Sequence, residues 1–239
     1  MGANGIIKLT SFFRTFLYIH CLSYQTLLTM EKIAIRKKYI DYVLDKGEKP
    51  KSVHAFAKTL KMNESDFYNF YASFEAIEKD VWKSLFVETL EQLEADETYL
   101  TYAAKDKLLA FYYLWISKLR ENRSYILTFR NENLRSIPMN AKGLDEFKNL
   151  FIKYAEQLVN EGIDAKEITE RKFISDKYTY GFWLQTMFVL NYWVNDSSDN
   201  FEMTDAAVEK AVNLCFKLIG DSALDSVIDF GKFMLQKAM

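Results

Sequence analysis

The 239-residue chain is 49% hydrophobic and 27% charged, which supports a sizeable core and excludes a disordered polyelectrolyte. Its net charge of −2 and pI near 5.9 exclude a chain that is basic throughout, so any contact with nucleic acid must come from a local patch. Eight Gly and two Pro are too few for a turn-rich β fold, and the 19 Phe, 15 Tyr and 4 Trp need a core, a pocket or an interface to take them in.

Met1–Met30 carries no Asp or Glu, and its charges are Lys8 and Arg14. Thr15–Leu22 resembles a short signal segment, but His20 interrupts it and no clear small-residue cleavage site follows. Regular patterning begins at Glu31. Either Met30 starts the functional protein or residues 1–30 form an arm. From Glu31 to Lys46, Ile33, Ile35, Tyr39, Ile40, Val43 and Leu44 recur at helical spacing, and Gly47 ends that helix. After Pro50, Ser52 is an N-cap for a short helix with Val53, Phe56, Ala57 and Leu60. Lys61-Met62 turns. Asn63 caps another short helix with Phe67, Tyr68, Phe70 and Tyr71, and Ser73 caps a long one through Leu93.

Further helices are expected at Tyr99–Arg120, Ser124–Glu132, Gly143–Asn160, Ala165–Val194, Thr204–Leu218 and Ser222–Lys237. Gly162 and the run Asn195–Asn200 are expected loops. The expected class is all-α, with a domain at 31–77 and a larger one at 78–239. Cys21 and Cys215 are far apart and form no metal-type cluster, which suits a reducing, cytoplasmic setting. No apolar run reaches the ~18 residues of a membrane span.

Two short helices joined by a tight turn and preceded by a third describe a helix-turn-helix. The stretch Ser52-Val-His-Ala-Phe-Ala57, then Leu60–Asn63, then Phe67-Tyr68-Asn-Phe70-Tyr71-Ala-Ser73-Phe-Glu75-Ala-Ile77 resembles the DNA-binding domain of the TetR/AcrR family of regulators. The resemblance is close over about Glu31–Ile77 and continues to the C-terminus in the order of helices. It implies an N-terminal three-helix helix-turn-helix domain, a C-terminal ligand-binding and dimerisation domain, and a homodimer that binds operator DNA. DNA-binding residues are then expected at Arg36, Lys37, Lys38 and Lys51, at Ser52, His54 and Lys61, and at Asn63, Ser65, Tyr68 and Asn69.

The departures from the family pattern concern function. The second short helix begins Asn63-Glu64-Ser65-Asp66, where the family has small, polar or basic residues. Phe74 stands where the family has a Lys that contacts the DNA backbone, and Lys61 stands in place of a turn Gly. Between Ser52 and Glu75 two lysines face three acids. Acids in a first helical turn are favoured by the macrodipole at ~0.3–1 kcal/mol each, yet they oppose a polyanion. Affinity is expected to rest on Lys32, Arg36, Lys37, Lys38, Lys49 and Lys51, which flank the motif, and so to depend steeply on salt.

In the C-terminal domain, Val208, Ala211, Cys215 and Leu218 line one helical face with Val212, Phe216 and Ile219 beside them, and the preceding helix is apolar nearly all round. That pattern predicts a dimer through Ala165–Val194 and Thr204–Ile219. The aromatic excess predicts a cavity for a small apolar or lipid-like ligand, lined by Phe111, Trp115, Phe129, Phe147, Phe151, Tyr154, Phe182, Trp183 and Met187. With His20 and His54 as the only histidines, no nucleophile–His pair, phosphate loop or metal-ligand spacing emerges, so neither an enzyme nor a cofactor is expected. Two functions remain: a ligand-responsive transcriptional repressor, or a protein of the same fold, similar to the ubiquinone-biosynthesis lipid-binding proteins, that has lost DNA binding.

Overall fold

The computed structural model describes residues 29–130, 135–171 and 175–220. Residues 1–28, the end of the helix expected at Ser124–Glu132 and the helix expected at Ser222–Lys237 lie outside the described residues. Among those described there is no strand, and the chain is all-α. Contacts divide it into two units, Met1–Ile77 and Glu78–Met239.

In the first unit, α1 (29–46) stops at Gly47, whose φ of +69° suits a residue without a Cβ and whose N–H donates back to the Val43 carbonyl at 2.9 Å. Helix α2 (Val53–Thr59) is capped by Ser52, whose Oγ accepts from the Ala55 N–H at 3.1 Å. Lys61 then turns the chain in the left-handed region (φ +57°) and leads into α3 (Glu64–Tyr68). Phe56 is the hub of the small core. Its ring lies 5.9 Å from those of Tyr39 and Tyr42, 6.2 Å from Phe67 and 5.8 Å from Phe74. Tyr39 and Phe74 stack at 5.4 Å, and Tyr71 ties α1 down by donating to the Lys32 carbonyl at 3.3 Å.

Helix α4 (Phe74–Glu94) starts in the first unit, where Ser73 Oγ accepts from the Ala76 N–H, and continues in the second. The second unit adds α5 (Glu97–Leu100), α6 (Ala104–Glu121), α7 (Arg123–Ile126), a 3-10 turn (Leu127–Phe129), α8 (Leu144–Asp164), α9 (Tyr178–Asn195) and α10 (Glu202–Gly220). Helices α6, α8, α9 and α10 pack as a bundle, and α4 joins it through Trp82 and Phe86 against Phe147, Phe111 and Phe151.

Three sequence expectations need correction here. The helix expected from Tyr99 is two: Asp96 caps the separate turn α5 by accepting from the Thr98 N–H, and the chain is extended at Ala103 before α6. Gly162 is no loop residue but lies inside α8, where a Cβ would come within 2.6 Å of Ile168 Cδ1. The single helix expected over Ala165–Val194 begins only at Tyr178. Before it, Lys166 turns left-handed (φ +60°), and Thr169 and Arg171 satisfy the last carbonyls of α10: Thr169 N–H and Arg171 Nη1 donate to the Ile219 carbonyl, and Thr169 Oγ1 donates to that of Gly220.

Candidate functional site

Helix α3 is held by its own acid. Asp66 Oδ2 accepts from the backbone N–H of Asn63 at 3.3 Å and from its side-chain amide at 3.1 Å, which ties the third residue of the helix back to the residue before it. Glu64 lies 3.3 Å from Nδ1 of His54 on α2. Both acids of the expected recognition helix therefore have a partner within the motif, and both keep their formal charge, since the partners are neutral N–H groups and an imidazole that is cationic only when protonated. Phe74 also has a structural reason to replace a surface Lys, since its ring completes the core around Phe56.

Most of the expected DNA-facing residues lie on the surface of this unit. Lys37 and Lys38 on α1, Lys51 before α2 and Lys61 in the turn are exposed. Ser65, Tyr68 and Asn69 lie on the open side of α3, with Tyr68 half exposed beside Phe67. Ser52 and Asn63 are exposed but already serve as caps, and His54 faces Glu64. Arg36 is the exception. At 9% exposure it is buried, so its guanidinium is not part of the basic surface, and the basic run on α1 reduces to Lys37 and Lys38. A groove of about 930 Å3 runs between α1 and the α2–α3 turn, with Lys38, Lys61, Asp66 and Asn69 among its walls.

In the second unit the nine residues expected to line a cavity belong to the buried interior, Phe129 being only half-buried. Their rings pack closely. Phe147 lies 5.2 Å from Trp115, 5.4 Å from Trp183 and 6.2 Å from Trp82; Phe111 lies 5.2 Å from Tyr154. Trp82 and Tyr125 were missed by sequence reasoning, although Glu78, Trp82 and Phe86 form an i, i+4, i+8 row and Tyr125 and Phe129 an i, i+4 pair. Buried hydroxyls elsewhere are satisfied: Tyr112 pairs with Thr186 at 2.9 Å and Tyr99 with Tyr154 at 3.1 Å. Burial pushes the Tyr112, Tyr154 and Tyr125 phenols well above their ordinary pKa, with the Glu78 carboxylate adding to the effect at Tyr125. By contrast, the indole N–H groups of Trp82, Trp115 and Trp183 and the hydroxyl of Tyr125 have no hydrogen-bond partner among the described residues. An orphaned buried donor costs on the order of 1–3 kcal/mol.

The end of the bundle near α9 is braced by charge. Arg123 donates to the carbonyls of Trp193, Val194 and Asp196 at 3.0–3.3 Å and lies over the Trp193 ring. Asp196 accepts from the backbone and hydroxyl of both Ser198 and Thr204. Burial acts to raise its pKa, but these bonds outweigh burial and hold it below the usual carboxylate value.

The expected interface stripe divides in two. Val208, Val212, Phe216 and Ile219 turn into the bundle. Ala211, Cys215 and Leu218 face away from it and join Leu184 and Phe188 of α9 and Met203 and Leu214 of α10. Leu184, Phe188 and Leu214 are 56%, 51% and 58% exposed, and the groove between them measures about 560 Å3. Leu214 falls within the expected interface range Thr204–Ile219 but not in the expected stripe, and Met203 lies just outside that range.

The first unit is a helix-turn-helix and the second a helical bundle. Comparison with known proteins agrees. The profile of the tetracyclin repressor-like C-terminal domain matches residues 107–234, and the chain belongs to this TetR family of regulators. Its fold is similar to that of a crystallised protein of Syntrophomonas wolfei assigned to TetR-family transcriptional regulators, with a TM-score of 0.58 and 14% identity, over 81% of this chain and 96% of that one. No curated protein matches the chain. No helix among the described residues is long and apolar enough to cross a membrane.

Proposed function

We propose that this TetR-family regulator is a cytoplasmic, homodimeric repressor that binds operator DNA through α2 and α3 and releases it when a small apolar ligand enters the second unit. The observation that carries this reading is the outer side of α3, where Ser65, Tyr68 and Asn69 are exposed while the two acids are engaged by Asn63 and His54. Dimerisation is supported by the apolar side chains that α9 and α10 leave exposed together on one face, Leu184, Phe188, Met203 and Leu214. A dimer would present two α3 helices to successive half-sites of a pseudo-palindrome. A ligand shifts the population between DNA-competent and incompetent forms only by its differential affinity for the two.

A gel shift with the DNA upstream of the protein's own gene tests the proposal, with a retarded band for that fragment over an unrelated one as the expected result. One observation favours the second reading, a lipid or isoprenoid carrier: α3 carries no Lys or Arg. Under that reading no fragment is retarded, and native mass spectrometry finds a lipid bound to the purified protein.

A further inference from the structure

The outer groove between α9 and α10 has a polar group in its floor. Of the residues around it, Gln185 and Ala207 are buried and form the floor, while Gly181, Leu184, Phe188 and Leu214 are exposed and form the rim. Gln185 is 5% exposed, and neither its amide nitrogen nor its amide oxygen has a partner among the described residues. An amide offers two donors and an acceptor, and sealing it from water unpaired is costly. The next residue shows the contrast: the hydroxyl of Thr186 donates to the Phe182 carbonyl and lies 2.9 Å from that of Tyr112. Gly181 stands one turn before Gln185, and a Cβ there would meet nothing within 4 Å. No packing within the chain asks for glycine at this point, where it weakens a helix; it leaves the approach to Gln185 open from outside.

The apolar surface runs past the groove. Tyr180, Leu184 and Phe188 follow one another at every fourth residue and are 52%, 56% and 51% exposed, a ridge along α9. Tyr180 and, on α10, the exposed Leu218 lie outside the groove itself. A small molecule filling its 560 Å3 leaves both uncovered, whereas a second helical pair covers ridge and groove together. A face that carries both a ridge and a groove is complementary to a copy of itself, as a twofold interface requires. We propose that Gln185 sets the register of the homodimer: a second copy of this chain seats its ridge in the α9–α10 groove over Gly181, and a polar group that it brings there pairs with the Gln185 amide. This rests on the homodimer proposed above and adds what aligns it. Apolar contacts are non-directional and tolerate a slip along the helix. A buried amide does not, because only one alignment restores its hydrogen bonds, as a single buried polar residue does in a coiled coil. The terminal torsion of Gln is broad, so the amide can turn toward the groove without leaving a rotamer well.

Gln185→Met keeps the length of the side chain and removes both hydrogen-bonding atoms. Sedimentation equilibrium on the full chain is expected to show a dimer dissociation constant raised at least tenfold, because the group brought by each copy is left unpaired and the symmetry counts the loss twice. In a Leu184→Asp background, expected to be monomeric, the same change should leave the urea midpoint unchanged or raise it, since within one chain the amide has no bond to lose. A dimer as tight as the parent or tighter overturns the inference while leaving the dimer in place. A lowered midpoint in the monomer assigns Gln185 a role inside its own chain and also overturns it. If Gln185→Met fails to fold, Gly181→Leu decides: the chain itself has room for this side chain, so a dimer weakened at least tenfold supports the close approach and an unweakened one overturns it. A parent chain that is monomeric throughout overturns the homodimer itself, and this inference with it.

Discussion

Replacing Leu184 by Asp is expected to separate the subunits of the dimer. Leu184 stands on the outer face of α9 with 56% of its surface exposed, beside Phe188 and across the groove from Leu214. Full burial of a Leu side chain stabilises by about 1.5–3 kcal/mol, so covering the exposed part contributes roughly 1–1.5 kcal/mol. Twofold symmetry counts the residue twice, which gives about 2–3 kcal/mol per dimer. At 1.4 kcal/mol per tenfold, the dissociation constant rises roughly 30- to 140-fold, before adding the cost of bringing a carboxylate into an apolar contact. Sedimentation velocity at micromolar concentration reads this directly, with a shift from dimer to monomer and no loss of helical circular dichroism. Leu100→Asp on α5 is the control, since Leu100 is equally exposed but lies away from the groove. A Leu184→Asp protein that remains as dimeric as the parent would falsify the assignment of this face.

Three more outcomes follow from local geometry. Lys61→Gly relieves a left-handed backbone at the helix-turn-helix turn and is expected to stabilise the protein by about 1 kcal/mol in thermal unfolding; a lower melting temperature contradicts this. Asp196 has a depressed pKa when folded, so its contribution is present above the ordinary carboxylate value of roughly 3.9 and is lost as the pH falls through the folded value. Asp196→Asn should therefore cost stability at pH 7 and much less at pH 3 in urea unfolding, and an equal cost at both would refute the linkage. Burial pushes the Cys215 thiol up to about 11 from 9.0, so in a Cys21→Ser background its alkylation at pH 8 should run about a hundredfold slower than that of an unperturbed thiol. Reaction at the ordinary rate would show that Cys215 is not shielded.

The first unit was legible because its signals are local. Gly47, Ser52, Asn63 and Ser73 act through hydrogen bonds that span three or four residues, and each stands at the helix end where its side chain or φ is needed. Arg36 was misread because charge indicates exposure only on average, and this residue of α1 is buried. The run Ala165–Arg171 was misread as helix for a related reason. Thr169 and Arg171 serve carbonyls about fifty residues away, and no periodicity records such a partner. Aromatic richness marked the interior of the second unit, but not which of its polar atoms go unpaired. The indoles of Trp82, Trp115 and Trp183 stand on three separate helices, and no local pattern records whether such a group finds a partner. On α10, helical spacing gave the apolar residues without saying which of two faces meets the bundle, so Leu214 and Met203 fell outside the expected stripe while Val208 was assigned to it.

Salt-dependent DNA affinity tests the central claim most directly. Fluorescence anisotropy with the upstream fragment, from ~50 mM salt upward, is expected to show specific binding whose logarithm falls linearly with the logarithm of salt. Lys37→Gln and Lys38→Gln together should weaken all sequences alike and reduce the slope by about 0.9 for each phosphate that is no longer neutralised, whereas Arg36→Gln should leave the slope unchanged because Arg36 is buried. Absence of any binding at ~50 mM salt, where even nonspecific association is favoured, would contradict the account and leave the carrier reading in its place.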